Sequence, residues 1–216
     1  RYSSLQSIGH GAFGESSSIV LVLEYMCTDL SVLMDEGRGP MPESHCKSFS
    51  WMLLQGLEHM HQLGLLHRDI KPSNLLISSE GVLKIADLGL ARVYHSKGQQ
   101  TRSYRQGFAP GTRWYRAPEL LFGSRRYGSG VDVWAAGVVI ADMIGNQPTF
   151  PGNSEIDQLF KVMGVMGSVN EDTWPGCTKL PDYGKIVFPA FEPQPWSQVS
   201  TRGREKQGNQ LTQSDG

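Results

Sequence analysis

One run, His67-Arg68-Asp69-Ile70-Lys71-Pro72-Ser73-Asn74, followed 13 positions later by Asp87-Leu88-Gly89, constrains this chain more than any other feature. An aspartate, a lysine and an asparagine at fixed spacing in a loop, then an aspartate ending a strand, suit a particular task. Transfer of a phosphoryl group from ATP needs a carboxylate to take the proton of the attacking hydroxyl and a cation near the γ-phosphate. It also needs two oxygen ligands for Mg2+. Either piece alone reads equally as a polar loop or an Asp-Gly turn. The joint occurrence, with Ala117-Pro118-Glu119 downstream in the same order, disfavours that plainer alternative.

The surrounding pattern supplies helices and strands to carry such loops. Ile19–Met26 (IVLVLEYM) is a β-branched apolar run and reads as a buried strand. Pro42 stands where a first helical residue belongs, Phe49, Met52, Leu53, Leu57 and Met60 recur at helical spacing, and Gly64 closes the helix. Two short strands, Leu75–Ile77 and Val82–Ala86, flank the turn-like Ser78-Ser79-Glu80-Gly81. Thr101–Thr112 reads as a long surface loop, with further helices over Ala117–Phe122, Gly130–Ile144 and Ser154–Met166. The apolar stretch Val131–Ile144 contains Asp132 and Asp142, so it is read as a core helix rather than a membrane span.

With 39% apolar and 19% charged residues in 216, the composition is that of a soluble globular chain. A formal net charge of −1 removes the broad electrostatic argument for nucleic acid or an anionic membrane as partner. Cys27, Cys46 and Cys177 are irregularly spaced without a CxxC, which supports neither a zinc site nor a disulfide framework. His59 and His61 lie two apart on a helix and point to different faces, so they do not suggest a metal pair. A reduced intracellular compartment is expected; nucleus, cytoplasm and cilium all fit. The start on Arg1 reads as a fragment or a processed chain, and Pro189–Gly216, poor in apolar residues, as a disordered tail.

Gly9-x-Gly11-x-x-Gly14 alone is weak, since a simple turn gives the same triplet. Glycines there let backbone N–H groups approach a phosphate chain. Ser16-Ser17-Ser18 running into IVLVL looks like strand rather than helix, which favours a nucleoside triphosphate over a dinucleotide.

On these motifs the chain resembles the eukaryotic protein kinase family, whose signatures are HRD…N, DFG and APE. Thr112-Arg113-Trp114-Tyr115-Arg116-Ala117-Pro118-Glu119-Leu120-Leu121 is similar to the cyclin-dependent and MAP kinase group. Phe150-Pro151-Gly152-Asn153-Ser154-Glu155-Ile156-Asp157-Gln158-Leu159 and Leu180-Pro181-Asp182-Tyr183 resemble cyclin-dependent kinases, most of all the cell-cycle-related type. The resemblance implies an α+β, protein-kinase-like fold, mainly the helical C-lobe with a truncated β N-lobe. The expected divisions are 1–26 (N-lobe remnant), 27–188 (C-lobe, incomplete at its end) and 189–216 (tail).

It also implies roles. Asp69 is then the catalytic base, Lys71 neutralises the transferred group, Asn74 and Asp87 hold Mg2+, and Thr112 bridges Asp69 and Lys71. Gly9, Gly11 and Gly14 cover the ATP phosphates, with Glu24–Met26 as the hinge beside adenine. His67 and Leu88 are packing members of the regulatory spine, and Asp132 fixes the catalytic loop. Arg68, assisted by Arg92, receives an activation-loop phosphate, with Ser103, Thr101 and Tyr104 as candidate phosphosites. ATP and Mg2+ are the implied cofactors, and proteins the implied substrates.

Three departures stand beside the resemblance. Only nine residues separate Gly14 from Glu24, and the first lysine of the chain is Lys47. The N-lobe lysine and its partner helix αC are therefore missing, and with that helix the main docking surface for a cyclin. The C-lobe helix carrying the arginine partner of Glu119 has no counterpart after Phe188. Pro110-Gly111-Thr112 replaces the Val–x–Thr of relatives, which leaves proline-directed specificity open. Two readings follow: a protein Ser/Thr kinase of the cyclin-dependent type, or an inactive pseudokinase-like isoform that acts by binding.

Overall fold

The computed structural model describes residues 23–36, 40–94 and 112–199. The glycine triplet, the start of the expected strand at Ile19, and Thr101, Ser103 and Tyr104 lie outside the described residues, as does the Thr112 side chain.

Strand β1 (Thr28–Asp29) leads directly into helix α1 (Leu30–Glu36). The Asp29 carboxylate accepts the Ser31 and Val32 amides at 2.9 and 3.2 Å, satisfying N–H groups that a first turn leaves open. Helix α2 (Glu43–Gln62) follows Pro42, which sits at the cap rather than inside the first turn. Its Phe49, Leu53 and Leu57 are buried, each contributing about 1.5–3 kcal/mol. Gly64, at φ +69°, ends the helix, and a Cβ there would lie 3.0 Å from the Tyr94 carbonyl oxygen.

Beyond it come β2 (Leu65–Leu66), β3 (Leu75–Ile77), β4 (Leu83–Ile85) and β5 (Arg92–Val93). β1, β3 and β4 form an antiparallel sheet in that order, with Thr28 opposite Ile77 and Leu75 opposite Ile85. β2 pairs with β5, Leu66 opposite Arg92. These two ribbons bracket the stretch from Leu66 to Leu75, so the loop bearing Asp69 is anchored at both ends.

Helix α3 (Pro118–Leu121) starts on proline, where a missing amide costs nothing. Helix α4 (Gly130–Gly145) is the central rod, closed by Asn146 in the left-handed region at φ +52°. Its Ala135, Ala136, Val139 and Met143 join Leu30, Phe49, Leu53, Leu57 and Leu75 in one core. Helix α5 (Glu155–Met166) is capped by Ser154, whose Oγ accepts the Asp157 amide at 3.1 Å. No described helix is long and apolar enough to cross a membrane.

Two expectations need correction. Residues 23–26 are not in a strand: Leu23 and Tyr25 are 73% and 83% exposed. A β-branched run becomes a buried strand only when another strand pairs with it, and no described strand pairs with residues 23–26. The expected unstructured tail is also wrong over residues 189–199. The Phe191 ring meets Phe160 edge-on at 5.0 Å, the Gln194 amide donates to the Val165 carbonyl at 2.8 Å, and Val199 is buried beside Val138 and Val162. Widely spaced apolar residues seat this stretch against α5, although its average composition is polar. Residues 200–216 lie outside the described residues.

The segment entering α5 is fitted tightly. A Cβ on Gly152 would lie 2.6 Å from the Gln158 Cα and 2.8 Å from its Cβ, and would also meet its Oε1. Gly152→Ala is expected to cost about 1–3 kcal/mol, read as a lower urea midpoint with an unchanged slope. No loss would mean that this turn relaxes freely.

Candidate active site

The loop after β2 places Asp69, Lys71 and Asn74 around one carboxylate. Lys71 Nζ donates to Asp69 Oδ2 at 2.8 Å. Asn74 Nδ2 donates to the same oxygen at 3.0 Å and to the Asp69 carbonyl at 2.8 Å. Asp69 is 6% exposed, and its second oxygen, Oδ1, is buried with no hydrogen-bond partner. A half-satisfied carboxylate costs stability where it stands, and it holds a lone pair ready for a proton.

Asp132, on α4 and 1% exposed, orients the loop. Its Oδ2 accepts the His67 amide at 2.9 Å, and its Oδ1 accepts the Arg68 amide at 2.7 Å. Together these hold Arg68 at φ +68°, a left-handed conformation that a residue other than glycine adopts at some cost. His61 lies against the same carboxylate, its Nε2 2.9 Å from Asp132 Oδ2. The sequence offered no role for this histidine. It occupies the last turn of α2, so only the docking of α4 on α2 brings the pair together.

His67 is fully buried; its Nε2 donates to the Ala86 carbonyl at 2.9 Å, leaving Nδ1 to accept the Asp69 amide at 3.2 Å. Leu88, assigned with it to a packed spine, is 58% exposed. That expectation is corrected, because nothing in the described residues covers the face on which Leu88 stands. Asp87, at φ +64°, accepts the Gly89 amide at 3.1 Å on Oδ1 and is exposed. Glu24 pairs with Lys84 at the surface, and Met26 is half-buried.

Arg68 turns away from Asp69, donating through Nε to the Leu90 carbonyl at 2.7 Å and through Nη1 to the Tyr127 hydroxyl at 2.8 Å. Arg92 is exposed on β5. Burial pushes the Glu119 carboxyl above its ordinary value.

The segment from Arg113 to Arg116 is stapled on two sides. Trp114 Nε1 donates to the Gly152 carbonyl at 3.0 Å, Arg116 pairs with Glu155 at 2.7 Å, and the Tyr115 hydroxyl donates to Asp142 at 3.1 Å. Asp142, 1% exposed, also accepts the Thr149 amide and hydroxyl at 2.7 and 2.6 Å. Burial raises its carboxyl to about 6 against the pull of these bonds. A carboxyl raised on folding stabilises fully below its unfolded value, and the contribution is lost as pH rises through the folded one. Relative to Asp142→Asn, the native chain should lose about 2 kcal/mol between pH 4 and pH 7. Urea unfolding of both proteins at the two pH values checks this, and parallel pH profiles would refute it.

Residues 6–198 match the family model for the protein kinase domain. The chain belongs to the protein kinase family. Among its relatives in that family, cyclin-dependent kinase 20 of Danio rerio is 46% identical over 187 residues, covering 87% of this chain and 53% of the relative. Cyclin-dependent kinase 7 of Xenopus laevis is 46% identical over 184 residues, or 85% and 50%. Cyclin-dependent kinase 20 of Homo sapiens is 43% identical over 187 residues, or 87% and 53%. The chain thus spans about half the length of these kinases. Membership in the family carries with it the general use of ATP and Mg2+.

Proposed function

We propose that this chain is a protein serine/threonine kinase of the cyclin-dependent type, moving the γ-phosphate of ATP to a hydroxyl of a protein substrate. The observation that carries the reading is Asp69: a buried carboxylate held on one oxygen by Lys71 and Asn74, with the other oxygen unpartnered.

Asp69 accepts the substrate hydroxyl proton on Oδ1, since Oδ2 is already committed. Lys71 sits beside that oxygen and brings positive charge to the transferred group. The donor set fits magnesium, a hard cation that takes oxygen ligands. Asn74 spends its NH2 on Asp69 and keeps Oδ1 available, and exposed Asp87 spends one oxygen on the Gly89 amide and keeps the other. When bound there, Mg2+ would neutralise charge on the phosphates. Asp132 keeps the loop in the strained backbone that orients Asp69. A cyclin partner is not part of this reading, because the sequence lacks the helix on which a cyclin docks.

The test is transfer of labelled phosphate from Mg·ATP to a basic protein substrate, with and without excess chelator. Mg2+-dependent incorporation is expected. No incorporation, together with no ATP-induced thermal shift, would overturn the reading in favour of a chain that acts by binding.

A further inference from the structure

Tyr127 stands in the loop between α3 and α4, half-buried after the exposed pair Arg125-Arg126. Its hydroxyl accepts from Arg68 Nη1 at 2.8 Å. Further on, in the first turn of α4, Asp132 accepts the Arg68 amide at 2.7 Å. The entrance to one helix therefore grips Arg68 twice, by its backbone through Asp132 and by its side chain through Tyr127. The guanidinium is a rigid planar fork, so a partner on Nη1 also aims Nε. Nε donates to the Leu90 carbonyl at 2.7 Å. Leu90 ends a single tight turn, Leu88–Leu90, which Asp87 begins: the Asp87 carboxylate accepts the Gly89 amide at 3.1 Å, and the Ala91 amide donates to the Leu88 carbonyl at 2.9 Å. On the other side of Asp87, Ala86 is tied down as well. Its amide donates to the Asn74 carbonyl at 2.9 Å, and its carbonyl accepts from His67 Nε2 at 2.9 Å. Asp87, at φ +64°, is the joint between these two anchorages, and such a backbone persists where its surroundings hold it from both sides.

We infer that Tyr127 is a positioning residue: acting through Arg68, it fixes the turn that carries Asp87. The inference rests on the kinase reading above, in which Asp87 holds Mg2+. The hydroxyl is the part that matters, since the ring alone offers Arg68 no acceptor. Hydrogen bonds with an ionised donor are the stronger kind, so one phenol oxygen suffices to direct the fork. The resemblance reserves Arg68 for a phosphate. Here two uncharged oxygens, of Leu90 and Tyr127, accept from the same guanidinium, and the turn is set by groups of the chain itself. A second contact joins the same two segments: a Cβ on Gly128 would lie 3.0 Å from the Tyr94 hydroxyl oxygen.

The test is Tyr127→Phe in the full chain, which keeps the ring and removes the hydroxyl. Residue-resolved amide exchange is the first readout. Gly89 and Ala91 are expected to exchange about tenfold faster, because a bond to a charged donor is lost from one anchorage. Val139, buried in the core of α4, should keep its rate. Arg68→Lys, which retains the charge without the fork, should give the same acceleration, and the double variant no more than either single one. Phosphate incorporation is the second readout. Here kcat is expected to fall about tenfold and the Mg2+ needed for half-maximal rate to rise, with KM for the protein substrate unchanged. Unchanged exchange at Gly89 and Ala91, single effects that add in the double variant, or a native kcat would each overturn the inference. So would equal acceleration at Val139, which would make Tyr127 a general stabiliser of the fold. A native chain that incorporates no phosphate, while its variants show the expected exchange pattern, would remove the kinase reading alone and uphold the anchoring of Asp87 by Tyr127.

Discussion

Exchange of Asp69 for Asn is expected to lower phosphate incorporation by about two to four orders of magnitude while leaving the fold in place. The amide has nearly the shape of the carboxylate. Its oxygen can still accept from Lys71 Nζ and Asn74 Nδ2, so the contacts at 2.8 and 3.0 Å persist. What changes is the atom now buried and unpartnered as Oδ1. A carboxylate oxygen there takes a proton; an NH2 group does not. Initial rates at saturating Mg·ATP read the first effect, and the urea midpoint reads the second. A variant that keeps the native rate would remove Asp69 from the chemistry, whatever its geometry.

Asp132→Ala is expected to be the most damaging change to stability, at about 4 kcal/mol, or roughly a thousandfold in the unfolding equilibrium. The substitution strips the acceptor from the His67 and Arg68 amides at once and leaves His61 without the carboxylate it meets. Buried donors without partners each cost about 1–3 kcal/mol. Without both backbone bonds the strained conformation of Arg68 at φ +68° loses its main-chain anchors, so the loop should relax toward an ordinary backbone. Phosphate incorporation should therefore fall even at temperatures where the variant remains folded. Chemical unfolding monitored by Trp fluorescence measures the first effect. A loss below about 1 kcal/mol would show that water or a neighbour replaces the carboxylate.

Where the sequence was legible, the physics was local. Helix α2 follows from apolar spacing and its end from Gly64, and the expected spans Gly130–Ile144 and Ser154–Met166 lie within a residue or so of α4 and α5, because helix ends are decided within a few residues. Helix α1 went unread although Asp29 before Leu30, Leu33 and Met34 carried its signal in miniature. The spacing of Asp69, Lys71 and Asn74 revealed their shared site for the same local reason. His61, Tyr127 and Tyr115 escaped notice because their partners lie 71, 59 and 27 positions away. The strand expected over Ile19–Met26, at its described residues 23–26, and the spine role of Leu88 failed for the opposite reason. Both rest on neighbours that a single sequence segment does not contain, and exposed Leu23, Tyr25 and Leu88 show the result.

The span between Asp132 and the amides it holds has a kinetic consequence. The bonded residues lie 65 and 64 positions apart, so closing them carries the entropy of a long loop. The backbone of the loop bearing Asp69 cannot reach its native shape until α4 has docked on α2, a contact of high sequence separation that forms slowly. Exchange of the His67 and Arg68 amide protons should then require global opening, with the same free energy as unfolding of the whole core.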